Sequence, residues 1–363
     1  MILSGSSLAY YLADRGLVGL DSVVDGAFLV VTVPRRNQNF KVIRRGAPGF
    51  FVKQVRDGTP DAVATLKCEA TCYRLAQSGL ELEPLAALLP GFYCYDPENN
   101  VLVLQLLQES ENLREHSDRT GGFSPDLARQ IGAAFGSYHS LPLSRITEAA
   151  ASPFPDNKPW ILSFHSQTFP LGTMNPGAAQ LHDILHSYPE YTRALDDLSG
   201  DWQVDALIHG DVKWDNCMVY PAEDGPGSEF KIVDWELASL GDACWDVGAI
   251  LQAYLTSWVF SMPDTGASPA AALVRQARFA LDDVAPAIGA FWESYASARG
   301  LEEARSRRLL ERSMKYGAAR MVQSVFEIAI YSSQLSPVAV RVLQLSYNIL
   351  ADPQEAIESL LVA

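Results

Sequence analysis

The polar run His209-Gly210-Asp211-Val212-Lys213-Trp214-Asp215-Asn216 is enclosed by apolar segments, Ala206-Leu207-Ile208 before it and Cys217 to Tyr220 after it. A third apolar segment, Phe230 to Val233, leads into Asp234, 18 residues beyond Asn216. This pattern predicts a compact β unit with two polar loops anchored by short strands. Rigid anchoring suits groups that must be held within fractions of an ångström of a reacting centre. Asp211, Asn216 and Asp234 are the residue types that phosphoryl transfer calls for: a carboxylate to orient an attacking hydroxyl, and hard oxygen ligands for Mg²⁺ on nucleotide phosphates.

The segments before this unit have another texture. Phe28 to Val33, Phe40 to Arg44 and Phe50 to Val55 read as three short strands, separated by the turn-prone stretches 35–39 and 46–49. Ala62 to Gln77 has helical spacing, and Tyr93 to Tyr95 with Val101 to Leu107, joined by Asp-Pro-Glu-Asn-Asn, makes a further hairpin. Five strands and one helix are thus expected in a first lobe, residues 1–107. Residues 108–363 are expected to form a mainly helical lobe around the loop region 206–236. Ser124 as N-cap and Pro125 at the first helical position start a helix over Leu127 to Leu141. Residues 150–200 read as an insertion, loop-rich and then helical, and 268–298, 302–333 and 336–350 as C-terminal helices spanning 268–350. The fold class is α+β.

Composition narrows the partners. With 28 Lys and Arg against 43 Asp and Glu, the formal charge of −15 argues against a general nucleic-acid binder and leaves room for a cationic acceptor. Met1 to Leu20 lacks the basic start and long apolar run of a signal peptide, and no eighteen-residue apolar window occurs, so a soluble, cytoplasmic protein is expected. Cys68, Cys72, Cys94, Cys217 and Cys244 are an odd set without zinc or disulfide spacing and read as reduced thiols. His116, His165, His182 and His186 show no metal spacing either.

Three motifs, taken in order and spacing, resemble the aminoglycoside phosphotransferase and choline kinase family, relatives of the protein kinases. They are His-Gly-Asp-x-x-x-x-Asn at 209–216, Ile-Val-Asp-Trp-Glu at 232–236 and Gly-Asp-x-x-x-Asp at 241–246. The resemblance implies a two-lobed kinase-like fold using ATP and Mg²⁺, with Asp211 as catalytic base or hydroxyl-orienting carboxylate and Asn216 and Asp234 as metal ligands. It implies that Lys53, on the third strand, binds the α- and β-phosphates and that Glu69, on the following helix, holds it in place. The same resemblance implies that Val101 to Leu107 leads into the hinge, where the carbonyl of Gln105 and the amide of Leu107 would bind adenine.

Lys213 either touches the transferring phosphate or is a solvated loop charge. His209 is expected to orient the loop by hydrogen bonding, Asp242 and Asp246 to fix backbone and helix starts, and His139 to pack near the loop. No glycine-rich phosphate loop lies between the first strands, where Arg35 and Arg36 stand instead, and Glu236 replaces the glycine of the protein-kinase Asp-Phe-Gly motif.

The acceptor is read less directly. It is expected between 150–200 and the C-terminal helices. Tyr10 to Val18, Val24-Asp25-Gly26 and Arg36 to Phe40 look like a bacterial subgroup associated with ribosomally made peptide natural products. That would imply phosphorylation of peptide Ser or Thr followed by elimination in a separate partner lyase. The alternatives are a kinase acting on an aminoglycoside, choline-like alcohol or sugar, and a nucleotide-binding pseudokinase that regulates a partner.

Overall fold

In the computed structural model, residues 1–19, 21, 26, 28–34, 37–56, 58–167, 174–222, 228–263 and 269–361 are described. The chain divides into two compact units, one made of Met1–Leu113, Ser144–Phe154 and Asn216–Ala238, the other of Arg114–Leu143, Pro155–Asp215 and Ser239–Ala363.

The first unit is built on a five-stranded antiparallel sheet, β1 (Phe28–Pro34), β2 (Gln38–Arg44), β3 (Phe50–Gln54), β4 (Phe92–Asp96) and β5 (Val101–Gln105), in the order β1-β2-β3-β5-β4. Side-chain alternation sets what each face buries. Phe40, Val42, Phe50, Val52, Val101 and Val103 are buried in one cluster with Leu3, Leu8, Tyr11, Leu12 and Val18. The latter group comes from the helix Gly5–Asp14 (α1) and its flanks. The sequence expectation of a single helix in this lobe passed over α1, which is only ten residues long. Its start is nonetheless locally encoded: the Ser4 side chain accepts from the Ser7 amide and the Ser7 side chain from the Ser4 amide, a reciprocal cap. Tyr11 then donates to the buried Asp96 at the end of β4, 3.0 Å away, and Arg15 pairs with the same carboxylate.

Lys53 has the opposite parity from Val52 on β3, and its side chain meets α2, the helix Pro60–Ala76. Gln38 and Asn39, expected in the first turn, belong to β2 instead and pair with Pro34 and Val33. Arg35 and Arg36 lie outside the described residues. The unit also holds a three-stranded sheet in which β6 (Glu111–Asn112) pairs with the strand Cys217–Pro221, and that strand with Ser228–Ile232.

The second unit is helical. Among its described residues a small sheet pairs Ala206–Ile208 with Ser239–Gly241. The helices that frame the loop are α3 (Pro125–Tyr138), α4 (Pro176–Ser187), α5 (Pro189–Gly200), α6 (Ala243–Phe260), α7 (Leu281–Ala298), α8 (Glu303–Ala329) and α9 (Pro337–Ala351). Ser124 caps α3 by accepting from the Leu127 amide at 3.3 Å, with Pro125 at the first position. The helical reading over 268–298 is interrupted at 276–280. There the Ser261 carbonyl and hydroxyl take the amides of Arg278 and Phe279, bonds that compete with a continuous helix.

Every residue of α6 from Ala243 to Thr256 is buried. A helix apolar all round belongs to a large core or a membrane. No helix among the described residues is long and apolar enough to cross a membrane, and α6 packs against α8.

Helices α3 and α7 approach very closely. A Cβ added at Gly132 would lie 2.1 Å from the Phe291 carbonyl oxygen, and one at Gly136 would lie 2.6 Å from that of Tyr295. Both obstacles are backbone, so the helices must separate to admit a methyl group. Gly132→Ala is expected to destabilise the protein by about 1–3 kcal/mol despite its better helix propensity. Denaturant unfolding reads this directly; a gain in stability would show that the helix contact yields freely.

Candidate active site

In the first unit, β3, α2 and the end of Ser228–Ile232 bring three charged groups together. Lys53 Nζ donates to both carboxylate oxygens of Glu69 at 2.8 Å and to Asp234 Oδ1 at 2.7 Å. The Lys53 and Glu69 side chains are 7% and 1% exposed, whereas Asp234 is 38% exposed. Burial acts to depress the lysine, but the Glu69 and Asp234 carboxylates outweigh it and hold its pKa above the ordinary lysine value. Burial also holds the Glu69 carboxyl up to about 7, against the opposing pull of Lys53.

Asp234 has φ 70° and ψ 52°, in the left-handed region, which turns the chain immediately after the strand. The Trp235 indole donates to the Ile232 carbonyl at 2.9 Å, and Cys68 on α2 donates to the Ala238 carbonyl at 3.2 Å, closing this turn against the helix. The neighbouring strand end carries Asn216, 5% exposed, whose carbonyl accepts from the Val233 amide at 2.9 Å. The hairpin register, Cys217 opposite Ile232, therefore sets Asn216 opposite Val233, next to Asp234. An amide oxygen and a partly exposed carboxylate on neighbouring strand ends fit Mg²⁺, which takes few protein ligands and completes its shell with water and phosphate oxygens.

At the end of β5, the Gln105 amide donates to the Gly91 carbonyl at 2.7 Å and its side-chain oxygen accepts from the Gly91 amide at 3.0 Å. The Leu107 carbonyl accepts from the Ser110 hydroxyl at 2.9 Å. These bonds employ the amide of Gln105 and the carbonyl of Leu107, the complements of the two groups that the resemblance implies for adenine.

The second unit carries the loop. Asp246, fully buried in the first turn of α6, accepts the His209 amide on Oδ2 at 2.7 Å and the Gly210 amide on Oδ1 at 3.0 Å. His139 Nε2 lies 3.5 Å from the same carboxylate. His209 Nδ1 accepts from the Asp211 amide at 3.2 Å, a local bond that orients the loop. Trp214 fixes the far end, its ring centroid 5.4 Å from that of Phe123 and 5.3 Å from that of Tyr254. Asp242 caps α6 by accepting from the Cys244 amide at 3.0 Å and also takes the Tyr316 hydroxyl at 3.1 Å.

Asp211 is gripped by two cations. Lys213 Nζ is 2.7 Å from Oδ2 and Arg320 Nη2 is 3.4 Å from Oδ1. Burial pushes the Asp211 carboxyl up, but Arg320 first and Lys213 second outweigh it and hold it below the usual carboxylate range. Arg320 is a site residue that the sequence reading missed. Its signal is a lone guanidinium in the small, apolar run Gly317-Ala318-Ala319-Arg320-Met321-Val322 of α8. It extends a stripe in which Arg312 pairs with Asp242 and Tyr316 bonds it, each four residues apart on one helix face.

A five-stranded antiparallel sheet with a strand lysine paired to a helix glutamate, together with a helical unit bearing the His-Gly-Asp loop, defines a kinase-like phosphotransferase. The model of the phosphotransferase enzyme family, APH, matches residues 31–287, and the chain belongs to that family. Two solved structures show the same fold. The ethanolamine kinase of Plasmodium vivax is similar at 10% identity and a TM-score of 0.53, over 95% of this chain and 87% of that one. The macrolide 2'-phosphotransferase of Brachybacterium faecium is similar at 14% identity and a TM-score of 0.51, over 96% and 99%. No curated protein matches the sequence.

Proposed function

We propose that this phosphotransferase moves the γ-phosphoryl group of ATP to an alcohol hydroxyl, with Mg²⁺ as cofactor. The observation that carries the reading is the buried Lys53, held by Glu69 and Asp234 at 2.7–2.8 Å. A cation immobilised in this way has little conformational freedom left to lose on meeting nucleotide phosphates. Lys53 binds the α- and β-phosphates, Glu69 fixes it, and Asn216 and Asp234 are the metal ligands. Bound Mg²⁺ supplies positive charge on the phosphate oxygens. Gln105 and Leu107 serve adenine through backbone groups. Asp211 orients the acceptor hydroxyl and takes its proton; Lys213 stabilises charge on the transferring group. The intact set of charged groups favours catalysis over a pseudokinase role.

The family supports a small-molecule acceptor. The Ser or Thr peptide reading, with its partner lyase, rests on the N-terminal sequence pattern, of which Val24, Asp25 and Arg36 lie outside the described residues. One experiment separates these acceptors: incubation with γ-labelled ATP, Mg²⁺ and a panel of amino alcohols, sugars, aminoglycosides and Ser/Thr peptides, followed by mass spectrometry. A phosphate added to a small alcohol is the expected result. Labelling of peptides alone would overturn the small-molecule reading, and no labelling of any acceptor would count against the enzyme.

A further inference from the structure

We propose that Arg320 is a positioning residue for phosphoryl transfer, holding Oδ1 of Asp211 so that Oδ2, covered by Lys213, is the oxygen presented to the acceptor hydroxyl. The proposal rests on the catalytic reading of Asp211 given above.

The two cations are built differently. Arg320 is 5% exposed, on the 27-residue helix α8, and its guanidinium lies over the Trp245 ring, 5.3 Å from the centroid. Nη2 donates to the Val212 carbonyl at 3.0 Å besides facing Asp211 Oδ1, and Nη1 donates to Gln323 Oε1 at 3.2 Å. One prong, Nη2, thus holds the loop backbone and the Asp211 side chain together, while the other, Nη1, is tied to Gln323 on the same helix. A planar guanidinium lying over an indole and bonded through both Nη atoms has few alternative rotamers. Lys213 instead sits on the loop itself, 45% exposed, two residues from the carboxylate it covers. A flexible ammonium can leave Oδ2 for an incoming phosphate, whereas Arg320 cannot leave without opening the helix packing.

The assignment sets the course of the transfer. The acceptor oxygen forms its bond to the γ-phosphorus as the bond from that phosphorus to the bridging oxygen breaks. The electron pair of the broken bond stays on ADP, and the acceptor proton passes to Asp211 Oδ2. Since the transition state is loose, the carboxylate's main task is to aim the hydroxyl, and aim is what a fixed Oδ1 provides.

The test compares Arg320→Met and Arg320→Lys with Asp211→Asn and the unaltered enzyme. Arg320→Met is expected to lower kcat on the order of 10²-fold, the scale of a small misplacement of a reacting group, with KM for ATP unchanged. Arg320→Lys, which keeps the charge and loses the fork, is expected to fall between. A second readout needs no acceptor: in ¹³C NMR the Asp211 carboxyl, faced by Arg320 from α8 and by Lys213 and His209 from the loop, is expected to titrate at higher pH in Arg320→Met. If that variant fails to fold, Arg320→Lys decides, and wild-type kcat in it would overturn the proposal. So would an unmoved Asp211 titration, or full turnover in Arg320→Met while Asp211→Asn is inactive. Full turnover in Asp211→Asn would instead overturn the catalytic reading itself.

Discussion

Asp211→Asn is expected to reduce phosphoryl transfer by about 10²–10⁴-fold, the range spanned by a positioned acid–base group, while ATP affinity stays at the wild-type value. The variant keeps the volume of the side chain and an oxygen for Arg320, so the loop's shape survives. It removes the negative charge proposed to take the acceptor proton. The Asp246 bonds to His209 and Gly210 do not involve the Asp211 side chain, which is a further reason to expect the backbone to hold. Steady-state turnover together with calorimetric ATP binding checks both halves, and undiminished turnover would remove Asp211 from the chemistry.

Lys53→Met is expected to damage stability and nucleotide binding together. Glu69, 1% exposed, would lose the ammonium 2.8 Å away and remain as an unpaired buried carboxylate, a change that costs about 3–5 kcal/mol. Asp234, at 38% exposed, can turn to water and adds little. The loss should depend on pH. Burial already holds Glu69 up to about 7, above its unfolded value, so the folded protein binds a proton there that the unfolded chain releases. Without Lys53 that imbalance grows. Stability of the variant should therefore rise as pH is lowered from neutrality toward the unfolded carboxyl value, and fall as pH is raised. Denaturant unfolding at several pH values measures this, and a variant equal to wild type at pH 7 would show that Glu69 has other support.

The alternating strands around Lys53 were legible because one face of each must be buried, and a period of two survives in sequence. The helix carrying Glu69 was legible for the matching reason at a period near four. The short helix α1 was not, since ten residues with a serine cap leave a weak trace beside the strands that follow. Nor was the interruption at 276–280, which depends on Ser261 reaching two amides far along the chain. Arg320 illustrates the same limit within the site. It meets Asp211 across 109 residues, and no local periodicity records which distant carboxylate a buried arginine faces. The His-Gly-Asp loop was visible because its residues are contiguous; what tensions it is spread over α6 and α8.

The left-handed backbone of Asp234 sets stability against use at one position. Glycine would relax a conformation that costs a side chain on the order of 1 kcal/mol, so a search for stabilising substitutions would be drawn to it. The same change would delete the partly exposed carboxylate that meets Lys53. Drift toward a more comfortable turn is thus a route by which a member of this family could keep its fold and lose the proposed metal ligand.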